Sequence, residues 1–174
     1  MRRVYLGGFL SLLLVACAAA TTPGLSAPKL RPVSQCQASQ LSVSRVSDDA
    51  GVGNRAVNFA FTNTSPTPCT LSGYPTFTPL DRRGRRLRGV SVVQSEETYF
   101  MPTAPPQEVT LEPGKTAWFQ IAYSAVQNSP RKCPTSAKVK ITAPGTARVF
   151  ILREEIAPCQ HSVRVTPVRG GLPE

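Results

Sequence analysis

Along most of this chain apolar and polar residues alternate with a period of two, and no stretch sustains a helical period over three turns. Val57-Asn58-Phe59-Ala60-Phe61-Thr62 is the clearest case, placing Val57, Phe59 and Phe61 on one face of a strand. Residues 118–123 are apolar almost throughout, as a central strand requires. Val139 and Ile141, then Val149 and Ile151, alternate with charged or polar neighbours, and residues 161–166 give a final strand. Strand-like runs at 41–46, 56–62, 76–80 and 90–93 complete the set. Turn formers separate them at Gly73, Pro75, Asp81, Gly84, Pro102, Pro105-Pro106 and Pro113-Gly114. Short strands punctuated this often predict an all-β fold, an immunoglobulin-like antiparallel β-sandwich with at most a short helical turn. Tyr74, Phe77, Trp118, Phe119 and Tyr123 are its expected core aromatics, with Trp118 buried between the sheets.

The N-terminus breaks the pattern. Met1-Arg2-Arg3 is followed by a nearly continuous apolar run from Val4 to Val15, too short for a spanning helix, which needs about 20 residues. Leu14-Val15-Ala16-Cys17 resembles the lipobox of a bacterial lipoprotein, in which the chain is cut before the cysteine and that cysteine is lipidated. The domains expected are therefore a lipoprotein signal peptide at 1–16, a lipidated Cys17 with a flexible linker at 17–35, a β-sandwich at 36–168 and a flexible tail at 169–174. Palmitate or a similar acyl group on Cys17 makes the membrane a partner through the N-terminal lipid. It places the protein in the bacterial cell envelope, facing the periplasm or exterior.

That compartment is oxidising, so thiols pair. Setting Cys17 aside leaves Cys36, Cys69, Cys133 and Cys159, which allow three connectivities. A hairpin returns the chain to its start, and one is expected between Cys36 and Cys69 and another between Cys133 and Cys159. This favours Cys36–Cys69 and Cys133–Cys159, each closing a loop worth roughly 3–4 kcal/mol in the chain-entropy model. The chain has no Cys-x-x-Cys and a single histidine, His161, so no metal and no cofactor is expected.

Charge concentrates in Asp81-Arg82-Arg83-Gly84-Arg85-Arg86-Leu87-Arg88. Losing Arg2 and Arg3 with the leader lowers the 20 basic residues to 18 against 10 acidic ones, a net +8. Arg82, Arg83, Arg85, Arg86 and Arg88 are candidates for contact with an anionic envelope polymer, phospholipid head groups or an acidic protein, because guanidinium grips phosphate or carboxylate with two bonds at once. The alternative is a solvated turn. Nucleic acid is not expected, since no aromatics interleave with the arginines. Residues 94–108 are too proline-rich for a central strand and too apolar for a plain linker. They read either as an exposed loop presenting Tyr99, Phe100 and Met101 to a partner, or as a loop folded over one end of the sandwich.

Catalysis finds little support. His161 would have to anchor any serine–histidine–carboxylate site, and no Gly-x-Ser-x-Gly elbow is present. Adjacent glutamates at 96–97 and 154–155 point to opposite faces of a strand and make no two-carboxylate site.

Cys36 ahead of a strand, Phe61-Thr62-Asn63-Thr64, Cys69-Thr70-Leu71-Ser72-Gly73-Tyr74-Pro75, Leu111-Glu112-Pro113-Gly114-Lys115-Thr116-Ala117 and the later pair Cys133 and Cys159 together resemble a bacterial envelope family, the domain of unknown function 4232. The resemblance implies an exported, often lipid-anchored β-sandwich and carries no catalytic residues. The function expected is a non-catalytic binding or scaffolding module. The alternatives are an accessory structural subunit and an envelope hydrolase using His161.

Overall fold

Alternation at 57–61 sends Phe59 and Phe61 into the centre of the protein, and the strand that carries them organises the rest. A computed structural model describes residues 32–173 apart from Ser129 and Arg131. Its strands are β1 (Leu41–Gly51), β2 (Asn54–Asn63), β3 (Cys69–Leu71), β4 (Thr76–Leu80), β5 (Ser91–Gln94), β6 (Val109–Leu111), β7 (Thr116–Ser124), β8 (Lys138–Thr142), β9 (Phe150–Leu152), β10 (Ser162–Val165) and β11 (Arg169–Gly170). A single 3-10 turn, Ala38–Gln40, precedes β1. The fold is all-β.

Three sheets share one core. The largest runs β1-β2-β7-β10-β5, and β11 joins the same edge of β7 that β10 uses; β3 pairs with β6; β4, β8 and β9 form the third. Nine consecutive pairs join β2 to β7, with Phe59 opposite Phe119. The Phe119 ring stacks on Phe59 at 5.6 Å and on Phe61 at 5.4 Å, and Phe77 of β4 closes on Phe59 at 6.3 Å. Leu71, Leu111, Val139, Ile141, Val163 and Val165 fill the space around these rings.

Ladders are antiparallel with one exception. β5 runs parallel to β10, from Ser91 beside Ser162 to Gln94 beside Val165. The connection after β4 carries the chain from the third sheet to the main one, and β5 arrives alongside β10 in the same direction.

Both expected disulfides are present, Cys36–Cys69 and Cys133–Cys159, 33 and 26 residues apart in sequence. The β1–β2 hairpin lies inside the first loop and the β8–β9 hairpin inside the second, so each return brings its cysteines together.

Several boundaries differ from expectation. Ser34 and Gln35, expected in the linker, pair with Thr70: its N–H donates to Ser34 O, and the Cys36 N–H donates to Thr70 O. Arg169 and Gly170, expected in a flexible tail, form β11 against Trp118 and Ala117. Trp118 itself is only half-buried and faces away from the aromatic core, because Ala117, Phe119 and Ile121 take the inward parity.

β1 runs five residues past the expected strand end, which shrinks the hairpin loop to Val52-Gly53. Both residues have positive φ, +47° and +76°, as a two-residue type I′ turn requires. Gly53 is fixed by packing, since a Cβ there would meet Val126 Cγ2 at 2.2 Å. Val52 is a β-branched residue in the left-handed region, with 83% of its surface exposed. Asparagine is the residue this position favours. Replacing Val52 with Asn should therefore stabilise the protein by about 1 kcal/mol, a rise of about 3 °C in Tm for a domain of this size. Thermal unfolding followed by circular dichroism checks it; an unchanged or lower Tm would show that Val52 carries no strain.

Candidate functional site

The basic stretch is a tight hairpin built around one carboxylate. Asp81 Oδ1 accepts from the backbone N–H of Arg83 at 2.8 Å and of Arg85 at 2.9 Å, and Oδ2 accepts from Arg85 Nε at 3.0 Å and pairs with Nη2 at 3.0 Å. Asp81 N–H donates to Arg85 O, Gly84 N–H returns to Asp81 O, and Leu87 N–H donates to Pro79 O. Gly84 sits at the tip with φ +76°. These donors hold the Asp81 carboxyl below its ordinary value of 3.8, the Arg85 N–H contributing most.

Of the five arginines singled out in the sequence, Arg85 is thus neutralised locally. Arg82, Arg83, Arg86 and Arg88 are exposed, and none has a side-chain ion pair or hydrogen bond among the described residues. The hairpin divides them. Arg82, Arg83 and Arg85 line a recess with Thr135, Ser136 and Glu155. Arg86 turns to a groove over Phe77, Val92 and Val165, and with Arg88 it borders Val90 and Ser91.

The other candidate, the segment at 94–108, is a strap across the outer face of the main sheet, neither a free loop nor a cap on one end. Thr98 Oγ1 donates to Gln120 Oε1, Arg169 Nη2 donates to the carbonyls of Glu96 and Pro102 at 3.3 Å each, and Arg164 Nη1 reaches Ser95 Oγ. Tyr99 is 59% exposed, whereas Met101 is 7% exposed, so of the three expected contacts Met101 is withdrawn under the strap. Phe100 is half-buried and meets Tyr99 edge-on at 5.0 Å. Cys17 lies outside the described residues.

His161 is a hinge point between strands. Its backbone sits at φ +59°, its carbonyl accepts from Ser91 N–H and Oγ, and its Nδ1 lies 3.1 Å from Gly89 O. Ser91 is therefore bonded to the histidine's carbonyl and not to its ring. Glu154 is a half-buried carboxylate: burial raises its pKa, opposed by Arg45 at 3.3 Å and reinforced by Asp48.

Sequence reasoning missed a second constellation, on the face of β2 and β7 opposite the aromatic stack. Asn58 and Gln120, 1% and 2% exposed, are hydrogen-bonded to one another at 3.0 Å. Asn58 Nδ2 also donates to Ser47 Oγ at 2.9 Å and Asp49 Oδ2 at 3.0 Å, and Gln120 Nε2 reaches the same carboxylate oxygen at 3.5 Å. Trp118 and Arg169 border this network, and the strap and the segment after β11 wall it in. Gln120 in an otherwise apolar run was the available signal, because it shares the parity of Trp118.

Asp81 organises the arginine hairpin, and its depressed pKa means that its support is present above pH 3.8 and lost as pH falls through the lower folded value. Asp81→Asn should speed amide exchange at Arg83 and Arg85 at neutral pH while leaving Tm nearly unchanged. The native protein should show the same loosening only on acidification below about pH 3.8. Exchange rates by NMR decide; equal protection in the variant would mean the turn holds without the carboxylate.

No curated protein matches the sequence. Among solved structures, the selenomethionine-labelled β-glucosidase from Kluyveromyces marxianus is similar over 72% of this chain and 15% of that enzyme, at 11% identity and a TM-score of 0.28. A family model described as a domain of unknown function, DUF4232, matches residues 36–169, from the first disulfide cysteine to the start of β11. The chain belongs to the DUF4232 family.

Proposed function

We propose that this protein is a lipid-anchored, exported envelope module that binds an anionic envelope component through its 81–89 hairpin, without catalysis. The observation that carries the reading is the set of four arginines, Arg82, Arg83, Arg86 and Arg88, that have no side-chain partner among the described residues, on a turn whose backbone Asp81 already holds. A fixed turn presents charge without the ordering cost that a floppy loop would add on binding. The mature excess of basic residues adds a long-range attraction in the same direction. The fold in this reading is immunoglobulin-like, with loops at the ends of strands as the contact surfaces.

The anchor rests on the sequence at 1–17. A short apolar run ending in Leu14-Val15-Ala16-Cys17 supports cleavage before Cys17 and acylation of its sulfur. More than one acyl chain on Cys17 gives stable membrane attachment, where a single chain is marginal. Retention at the membrane would bring a net basic domain close to anionic head groups and wall polymers, raising their effective concentration at the hairpin.

Two outcomes test the reading separately. Cys17→Ser should move the protein from the membrane fraction to the soluble or secreted fraction of expressing cells; unchanged pelleting would remove the anchor. Full-length protein in mild detergent should sediment with purified cell-wall sacculi at about 0.15 M salt and be released by about 1 M salt, where the Debye length falls from about 8 to about 3 Å. The variant with Arg82, Arg83, Arg86 and Arg88 changed to Gln should not sediment at either. Retention indifferent to salt and to the four arginines would make the hairpin a solvated turn.

A further inference from the structure

The recess on the outer face of the main sheet has the makings of a ligand site that the arginine hairpin does not involve. It is an open recess of about 420 Å³ between Trp118, Phe100, Asp49, Arg169, Gln120 and Leu172, a volume within the range of small-molecule sites. Trp118 is the largest side chain in the chain and the only tryptophan, yet it is not in the core. On the β2 side its neighbour on this face is small, Ala60, whereas Gln120 follows it along β7 and Arg169 lies opposite on β11. The β2 side of the indole is therefore the flank that small residues leave open.

Two charged groups border the same space, each with unused hydrogen-bonding capacity. The Asp49 carboxylate is aimed here by a bulge at Val46, where the β1 register shifts by one residue and switches parity, so that Ser47 and Asp49 share a face with Asn58 and Gln120. Its Oδ2 takes the bonds from Asn58 and Gln120, and its Oδ1 has no partner among the described residues. Arg169 spends Nη2 on the strap carbonyls and leaves Nη1, which is not buried, without a partner among the described residues, so a ligand would reach the guanidinium there; its Nε is shielded from solvent without an acceptor. A buried donor left unsatisfied in this way is rare and calls for an explanation. The amides of Asn58 and Gln120 are occupied with each other and with Asp49, so they position the carboxylate and are not themselves free to bind.

We propose that this recess binds a neutral polyhydroxylated ring, a saccharide unit. The complement must offer an acceptor to Arg169, a donor to Asp49 and an apolar face to Trp118. Hydroxyl groups donate and accept at once, and a pyranose carries them around its edge while its ring C–H bonds form an apolar face. The two protein charges offset each other, so a phosphate or carboxylate would be repelled by Asp49 and a cation by Arg169. The hydrogen-bonded network beneath is formed before any ligand arrives, which limits the ordering cost of binding.

Because Trp118 is the sole tryptophan, fluorescence of the full-length protein excited at the red edge, where its four tyrosines do not absorb, reports on this recess. Titration with cellotriose and with the trimer of N-acetylglucosamine, up to about 10 mM, fills most of a site with Kd of about 1 mM. At least one should produce a saturable change in emission. Asp49→Asn and Arg169→Lys should each weaken it about tenfold or more, as expected for losing a hydrogen bond to a charged group, with the near-ultraviolet circular dichroism of the native fold retained. Trp118→Phe, followed by calorimetry, should weaken binding while leaving both charged groups in place, which covers the case in which a charge variant misfolds. No emission change with either saccharide, or binding unaffected by both Asp49→Asn and Trp118→Phe, would overturn the proposal. Equal or stronger responses to inorganic phosphate or glutamate would overturn it too, reassigning the recess to a charged ligand.

Discussion

Burying both faces of β2 and β7 is the constraint from which the other features follow. Inward, Phe59, Phe61 and Phe119 form a stack with less than 1% exposure, the kind of site where truncation to alanine costs about 3–5 kcal/mol. Outward, Ala56, Asn58, Ala60, Gln120 and Ala122 are buried as well. A face carrying two amides can be covered only if every amide finds partners, since an unpaired one costs about 1–3 kcal/mol. The structure meets this with two devices: the bulge at Val46 delivers Ser47 and Asp49, and the strap delivers Thr98. The backbone N–H of Gln120, between the β10 and β11 pairings of β7, is taken by the side-chain oxygen of buried Thr166.

How far this could be read from the sequence depends on which residues carried the information. Alternation at 57–61 is unambiguous, and the strand at 76–80 has the expected ends, because Pro75 and Asp81 bracket it. Cysteine pairing was legible because a hairpin is a geometric statement as well as a local one. The run 117–122 was not, since a strand apolar on both faces has no period to assign parity. Aromatic character favours an inward Trp118; pairing of Phe119 with Phe59 sends it out. The bulge leaves no mark in composition, and Met101 is buried by the course of a proline-rich strap that alternation does not describe.

Covalent and non-covalent pins are concentrated where the chain changes sheets. Cys36–Cys69 ties the entry to β1 and the start of β3, and Cys133–Cys159 ties the segments entering β8 and β10. His161 holds the start of β5 to that of β10, a parallel contact that no tight turn could make. The arginine hairpin lies between β4 and β5, so its root is held by one sheet and its exit by another. Asp81 then needs only to fix five residues, and it does so with donors that are local in sequence.

The hairpin and the outer-face recess are physically separate. One connects β4 to β5 and is bordered by Thr135, Ser136 and Glu155; the other lies over β2 and β7, and they share no lining residue. Sites without common partners contribute independently. Binding at the first, as proposed, would draw on net charge, which salt screens over a few ångströms. The second sets a carboxylate against a guanidinium beside an indole, so bulk salt would act little on the binding proposed there. A polymer that carries both anionic groups and sugar rings would engage the two surfaces through different chemistry on a single chain, gaining avidity only where its length spans them.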